Sequence, residues 1–78
     1  MKIKNITDKI IETRYQVIMR RLDGSYEFVT MDYLHAGMDD FYKASMKLGE
    51  FSTMKHQVQF ISINSETGML EIQAKEIA

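Results

Sequence analysis

A histidine and the aspartates near it are the residues most able to bind a metal ion. His35 and Asp39 are four positions apart, one turn of a helix, so both side chains could reach one ion. A third ligand would come from Asp32 or Asp40, and Asp40 points about 100° away from Asp39 on a helix. Carboxylates in a first helical turn also complement the free amide groups there, which is their commoner role. We therefore expect no metal site.

Catalytic and cofactor motifs are absent from the rest of the sequence. The 78 residues include no cysteine, and the two histidines, His35 and His56, are too far apart for an H-x-x-x-H zinc motif. There is no glycine-rich phosphate loop and no G-x-S-x-G nucleophile motif, and the 11 acidic residues are scattered. We expect a protein that is not an enzyme, with no catalytic residue and no cofactor.

The composition is typical of one folded domain over residues 1–78. Hydrophobic residues make up 45% and charged residues 27% of the chain, which is ordinary for a soluble domain. A net charge of −1 gives no overall attraction to nucleic acid. No apolar run approaches the roughly 20 residues of a membrane helix, and the first residues do not resemble a signal peptide. We expect a cytoplasmic protein without membrane contact.

An Asp-Gly pair between two alternating runs predicts a β-hairpin. A two-residue type I′ turn at Asp23-Gly24 would place Arg20 opposite Glu27 as a cross-strand ion pair. This register also divides the apolar side chains between two faces. One face would carry Tyr15, Val17, Met19, Tyr26 and Phe28, and the other would carry Ile18, Val29 and Met31.

An amphipathic helix is predicted between this hairpin and a second one. It would begin near Gly37 and end at Gly49. Seven side chains fall within an arc of about 160° that we expect to face a sheet. They are Leu34, Met38, Phe41, Tyr42, Ser45, Met46 and Leu48.

The second hairpin turns at residues 65–68, where Gly68 suits a left-handed position. Its first strand changes parity between Phe60 and Ile61, which indicates either a bulge or cover on both faces. Residues 2–6 could form a helix or an edge strand, and we expect a strand. The predicted fold is α+β. It is a small antiparallel sheet in ββαββ order, with a possible extra N-terminal strand and one helix packed on one face.

The hairpin carries more apolar residues than one helix can cover. Ile18, Val29 and Met31, together with Ile61 and Ile63, would remain on the far face unless the first residues, through Ile3, Ile6 and Ile10, fold over it. Exposed apolar patches usually mark association, and seven methionines add adaptable contacts. The leading interpretation is a small non-enzymatic binding module that acts by protein–protein contact. By general analogy it would be an accessory, inhibitor or adaptor protein of the phage type. It would form a homodimer through its sheet, with Ile18, Arg20, Val29 and Met31 binding the partner.

Two alternatives remain open from the sequence. Arg14, Arg20, Arg21 and Tyr26 lie on or beside one hairpin, and aromatic residues with arginines on a sheet are typical of single-stranded nucleic-acid binding. A small ligand such as a nucleotide could also bind at a subunit interface.

Overall fold

The computed structural model describes residues 1–10, 13–32 and 37–78. Its elements, in chain order, are α1 (Ile3–Thr7), β1 (Tyr15–Arg20), β2 (Tyr26–Met31), α2 (Met38–Thr53), β3 (His56–Ile63) and β4 (Leu70–Glu76). The strands form one four-stranded sheet in the order β2-β1-β4-β3, and α2 packs on one of its faces. The predicted α+β class is confirmed.

The sheet is mixed, and the prediction of a wholly antiparallel sheet is wrong. Each hairpin is antiparallel, as expected, but the hairpins meet through β1 and β4, which run parallel. Because β2 and β3 lie at opposite edges, α2 carries the chain across one face from edge to edge. The alternation of apolar residues shows which residues of one strand share a face. It does not fix which strands of two hairpins become neighbours.

The first hairpin turns through three residues rather than two. The Arg21 N–H donates to the Ser25 carbonyl at 2.7 Å, and the Gly24 N–H donates to the Arg21 carbonyl at 2.9 Å. Gly24 has φ +88°, as in a type I turn followed by a left-handed bulge residue. The extra loop residue shifts the register by one. Arg20 is therefore not opposite Glu27, and the predicted ion pair between them is wrong.

This shift moves every side chain of β2 to the opposite face from the one predicted. Val29 and Met31 are buried beneath α2, whereas Tyr26 and Phe28 are exposed on the far face. The predicted faces of these four residues are therefore wrong. Val29 and Met31, predicted to bind a partner, belong to the core instead, while Ile18 remains outside it.

Helix α2 begins immediately after Gly37, as predicted, but continues beyond Gly49 to Thr53. The reason for the extension is Phe51, which is completely buried in the core. Burying a phenylalanine side chain contributes about 2 kcal/mol, more than the roughly 1 kcal/mol that a helical glycine costs. The prediction that the helix ends at Gly49 is therefore wrong.

The face of α2 that packs on the sheet is rotated by about 100° from the predicted one. Its buried centre is Ala44, flanked by the partly buried Phe41 and Leu48. Met38 and Met46, predicted to face the sheet, are exposed instead, as is Tyr42. Leu34, predicted to lie on the same face, is outside the described residues. The apolar residues of this helix thus form two stripes, of which only one reaches the core.

The first residues form the short helix α1, so the predicted N-terminal strand is wrong. Ile3 is fully buried, and Ile6 and Ile10 pack partly buried against the core. The Ile3 N–H donates to Nε2 of His56 at 3.0 Å, which satisfies an amide that the helix itself leaves free. Because Ile3 joins the core beneath α2, α1 lies on the same side of the sheet as α2.

The second hairpin follows the sequence prediction more closely. Gly68 has φ +72° in the turn, as expected. Of the two alternatives considered for β3, the structure has a bulge, but its irregular register lies between Val58 and Phe60 rather than after Phe60. Beyond the bulge, Ile61 lies opposite the buried Ile72, on the helix-covered side. Its predicted place on the far face, with Ile18, is wrong.

Candidate functional site

The face of the sheet opposite α1 and α2 is covered by none of the described elements. Residues that are paired across neighbouring strands point to the same side, so the outward side chains form three rows across the sheet. We call this surface the open face. Its residues are Gln16, Ile18, Arg20, Tyr26, Phe28, Thr30, Gln57, Phe60, Ser62, Glu71, Gln73 and Lys75.

The middle row of the open face is its apolar centre. Ile18 lies opposite Phe28 on one side and Gln73 on the other, and Gln73 lies opposite Phe60. Phe28 is 58% and Phe60 is 65% exposed. Two aromatic rings on the edge strands therefore flank an isoleucine and an amide, and all four lie along one line across the sheet.

The row nearest the first turn carries the positive charge. It runs from Tyr26, which is 57% exposed, through Arg20 to Lys75. Neither cation has a carboxylate within ion-pair distance among the described residues. These three side chains and Phe60 contribute to the lining of a shallow depression of about 70 Å³ above Ile18. This row thus offers aromatic surface beside two cations that are available to a ligand.

The third row is polar and carries the only carboxylate among the open-face residues. Gln16 Nε2 donates to Thr30 Oγ1 at 3.4 Å, and Glu71 accepts a hydrogen bond from Nδ2 of Asn64 at 3.1 Å. Gln16 lies opposite Glu71, which lies opposite Ser62. The open face is therefore positive at one end, apolar in the middle and negative at the other end.

Two of the four residues predicted to bind nucleic acid are paired with acids. Arg14 Nε lies 3.2 Å from Oδ1 of Asp32, and Arg21 Nε lies 3.1 Å from Oε1 of Glu76. Only Arg20 and Tyr26 of the predicted set come together on the open face. The pairing of Arg14 and Arg21 leaves their charges less available to phosphates.

A network of charged side chains lies on the helix-covered face of the first hairpin. Glu27 accepts hydrogen bonds from Lys47 Nζ at 3.0 Å and from Arg21 Nη1 at 2.9 Å. These bonds lower the pKa of the Glu27 carboxyl, and the bond to Glu27 raises the pKa of Lys47. The network ties β2 to α2 and leaves the open face free of these charges.

A second apolar surface lies on α2. Met38, Tyr42 and Met46 follow each other at one-turn intervals, and they are 90%, 66% and 60% exposed. Lys43, also exposed, lies beside them on the helix. The stripe is one side chain wide, so it presents less continuous apolar surface than the open face.

A groove between α1 and β3 is a third candidate site. Its volume is about 670 Å³, and its lining includes Ile6, Ile10 and Ile61 with Asp8 and Lys9. A single lysine balanced by an aspartate does not provide the cluster of donors that a nucleotide's phosphates need. This groove therefore does not support nucleotide binding, and a small-ligand site between subunits stays a prediction.

The metal-binding residues considered from the sequence are only partly described. His35 lies outside the described residues, and Asp39 and Asp40 are exposed in the first turn of α2. Within residues 1–10, 13–32 and 37–78, no three histidine or acidic side chains are grouped closely enough to hold a metal ion.

In the same ranges, no helix combines the length and apolar character needed to span a bilayer.

Sequence reasoning missed Phe28, Phe60 and Lys75 as members of the open face. The signal that could have found Phe28 is the length of the first turn, because one added residue reverses the faces of β2.

Comparisons of the chain with protein-family models, with curated proteins and with solved structures find no match.

Proposed function

We propose that the protein is a small non-enzymatic binding module that acts by protein–protein contact and self-associates through its open face. The observation that carries the proposal is the middle row, where Phe28 and Phe60, each more than half exposed, lie on either side of Ile18 and Gln73. Contiguous apolar surface of this kind is costly to leave in water, and it usually marks an association site.

The polar surroundings of the middle row support the same function. Protein interfaces combine an apolar centre with a polar rim, and they are enriched in aromatic residues and arginine. The open face has aromatic residues in its first two rows, and Arg20 lies next to Ile18 along β1. Tyrosine and arginine are also the residue types that most often dominate binding energy. A cytoplasmic accessory or adaptor role fits such a module.

Photo-crosslinking from the open face tests this function. A benzophenone amino acid replacing Phe60 keeps an aromatic ring at a side chain that is already 65% exposed. We expect light to produce a protein adduct with the mass of two chains, and Ile18→Glu in the same chain to abolish it. The same amino acid at Lys43, exposed on α2, is the matched control and should give no such adduct. Equal adducts from both positions would contradict the proposal.

Single-stranded nucleic-acid binding is the second candidate, favoured by the row of Tyr26, Arg20 and Lys75. Exposed rings on a sheet can stack on bases, each stack contributing about 1–3 kcal/mol, while unpaired cations contact phosphates. Two such cations predict a slope of about −1.4 for the logarithm of affinity against the logarithm of salt concentration.

Fluorescence anisotropy of a labelled single-stranded oligonucleotide tests the second candidate. Arg20→Gln should reduce the salt slope by roughly half, because one of two phosphate contacts is lost. Lys43→Gln, which removes an exposed charge from α2, should leave the slope unchanged. The absence of binding by the wild type at low salt would remove this candidate.

A further inference from the structure

We propose that the open face is covered by a second copy of this chain in a symmetric dimer whose two-fold axis runs across the strands, parallel to the middle row. This arrangement rests on the proposed function, because it specifies how self-association through the open face takes place. The proposal also assigns an intermolecular role to Lys75 and Glu71, which lie at opposite ends of the open face on β4.

With the strands of the two sheets roughly aligned, two-fold symmetry allows two ways to stack a pair of open faces. An axis along the strands would exchange β1 with β4, so Arg20 would face Lys75 of the second copy. That contact occurs twice in a symmetric dimer. Neither cation has a carboxylate partner among the described residues that would neutralise it. Like charges placed opposite each other oppose association, so this axis is unfavourable.

An axis across the strands reverses the ends of each strand instead. Lys75 then faces Glu71 of the second copy, and Arg20 faces Gln16, so the positive end of one open face meets the negative end of the other. The middle row meets itself, with Ile18 against Ile18 of the second copy. Stacked sheets cross at about 30°, which moves these side chains by less than the spacing between rows near the centre. Of these two axes, only this one matches charge as well as apolar surface.

The size of the open face limits the strength of the dimer. Four strands about 4.8 Å apart and six residues of about 3.3 Å give a face of roughly 19 by 20 Å. The whole chain exposes 5322 Å², and a standard interface buries about 800 Å² on each partner, which is roughly 15% of that surface. The open face, at roughly 400 Å² in projection, is smaller than this standard. Small interfaces are typical of weak, transient complexes, so we expect a micromolar rather than a nanomolar dissociation constant.

Charge exchange tests the arrangement by sedimentation equilibrium at low salt. Lys75→Glu places a carboxylate opposite Glu71 of the second copy at two symmetric positions, so the dissociation constant should rise at least about tenfold. Glu71→Lys should weaken the dimer in the same way, and the double exchange should restore it to within about threefold of the wild type. Lys43→Glu on α2 is the control and should have no effect.

Glu71 accepts a hydrogen bond from Asn64, so its replacement could also disturb the second turn. Glu71→Gln retains an oxygen acceptor for Asn64 while removing the charge, and it should weaken the dimer less than Glu71→Lys. Folding of every variant is checked by circular dichroism. If the wild type dimerises but the double exchange fails to restore the dimer, this arrangement is overturned while self-association through the open face stands. A wild type that remains a single chain at every concentration would overturn the proposed self-association as well.

Discussion

His56 connects the first helix to the sheet through both nitrogens of its ring. The side chain is 4% exposed, Nδ1 lies 2.7 Å from the Met54 carbonyl, and Nε2 accepts the Ile3 N–H. A carbonyl oxygen only accepts hydrogen bonds, so the hydrogen bonds assign the donor role to Nδ1 and the acceptor role to Nε2. This histidine therefore serves the fold, and the sequence alone did not indicate whether it was structural or functional.

Replacing His56 with phenylalanine should destabilise the protein by about 2 kcal/mol, because the buried Ile3 amide loses its acceptor. Denaturant unfolding measures the loss, and amide exchange should become faster in α1 before it does in the sheet. His56→Gln can place its side-chain oxygen near the position of Nε2, so it should keep more of the α1 protection. Equal exchange in the two variants would show that the hydrogen bond contributes nothing.

Acid should weaken the hydrogen-bond network around Glu27. Its pKa in the folded protein is lowered, chiefly by the hydrogen bond from Lys47 and then by the one from Arg21. The unfolded chain therefore binds the proton more readily. The stabilisation is complete above the ordinary carboxyl pKa of 4.5 and is lost as the pH falls through the lower folded value.

Thermal unfolding between about pH 6 and pH 3 measures this effect. The midpoint should fall with pH in the wild type and fall less in Glu27→Gln, which cannot lose a charge. Glu66→Gln, in the exposed second turn, should follow the wild type. Parallel curves for the wild type and Glu27→Gln would contradict the prediction.

At the scale of elements, the strands and the long helix could be located from the sequence, but their faces could not. Asp-Gly suits both a two-residue turn and a three-residue turn with glycine in the left-handed position. The choice between them decides whether Phe28 or Val29 is buried. In α2, apolar residues cover so wide an arc that the periodicity did not show whether Met46 or Phe51 faces the core. Tertiary contacts decided both cases.

The continuation of α2 through Gly49 gives a further stability prediction. A β-carbon added at Gly49 meets no atom within 4 Å, so Gly49→Ala should stabilise the protein by about 1 kcal/mol through helix propensity. Gly68→Ala is the matched comparison. Its φ of +72° disfavours a side chain, so the substitution should destabilise the hairpin by about 1–2 kcal/mol. Chemical denaturation distinguishes the two. A destabilising Gly49→Ala would show that α2 is strained there.

For the whole molecule, the number of apolar residues indicated that one face would stay uncovered unless the first residues folded over it. None of the described elements covers that face, but its predicted composition was wrong. One long helix covers one face of four strands, and α1 adds cover to that same face rather than to the other. The pairing of β1 with β4 joins segments more than fifty residues apart, which no local pattern encodes. That pairing brings Lys75 and Gln73 beside Arg20 and Ile18. The half of the open face that lies on β3 and β4 is therefore placed by the strand topology.

The solution mass of the particle tests self-association through the open face most directly. Sedimentation from about 1 to 500 µM spans the dissociation constant expected for an interface of this size. The wild type should move from one 9.1 kDa chain towards twice that mass. Ile18→Glu, at the centre of the open face, should remain a folded single chain, while Met46→Glu on α2 should associate like the wild type. A single chain throughout the range, or association unchanged by Ile18→Glu, would contradict the account.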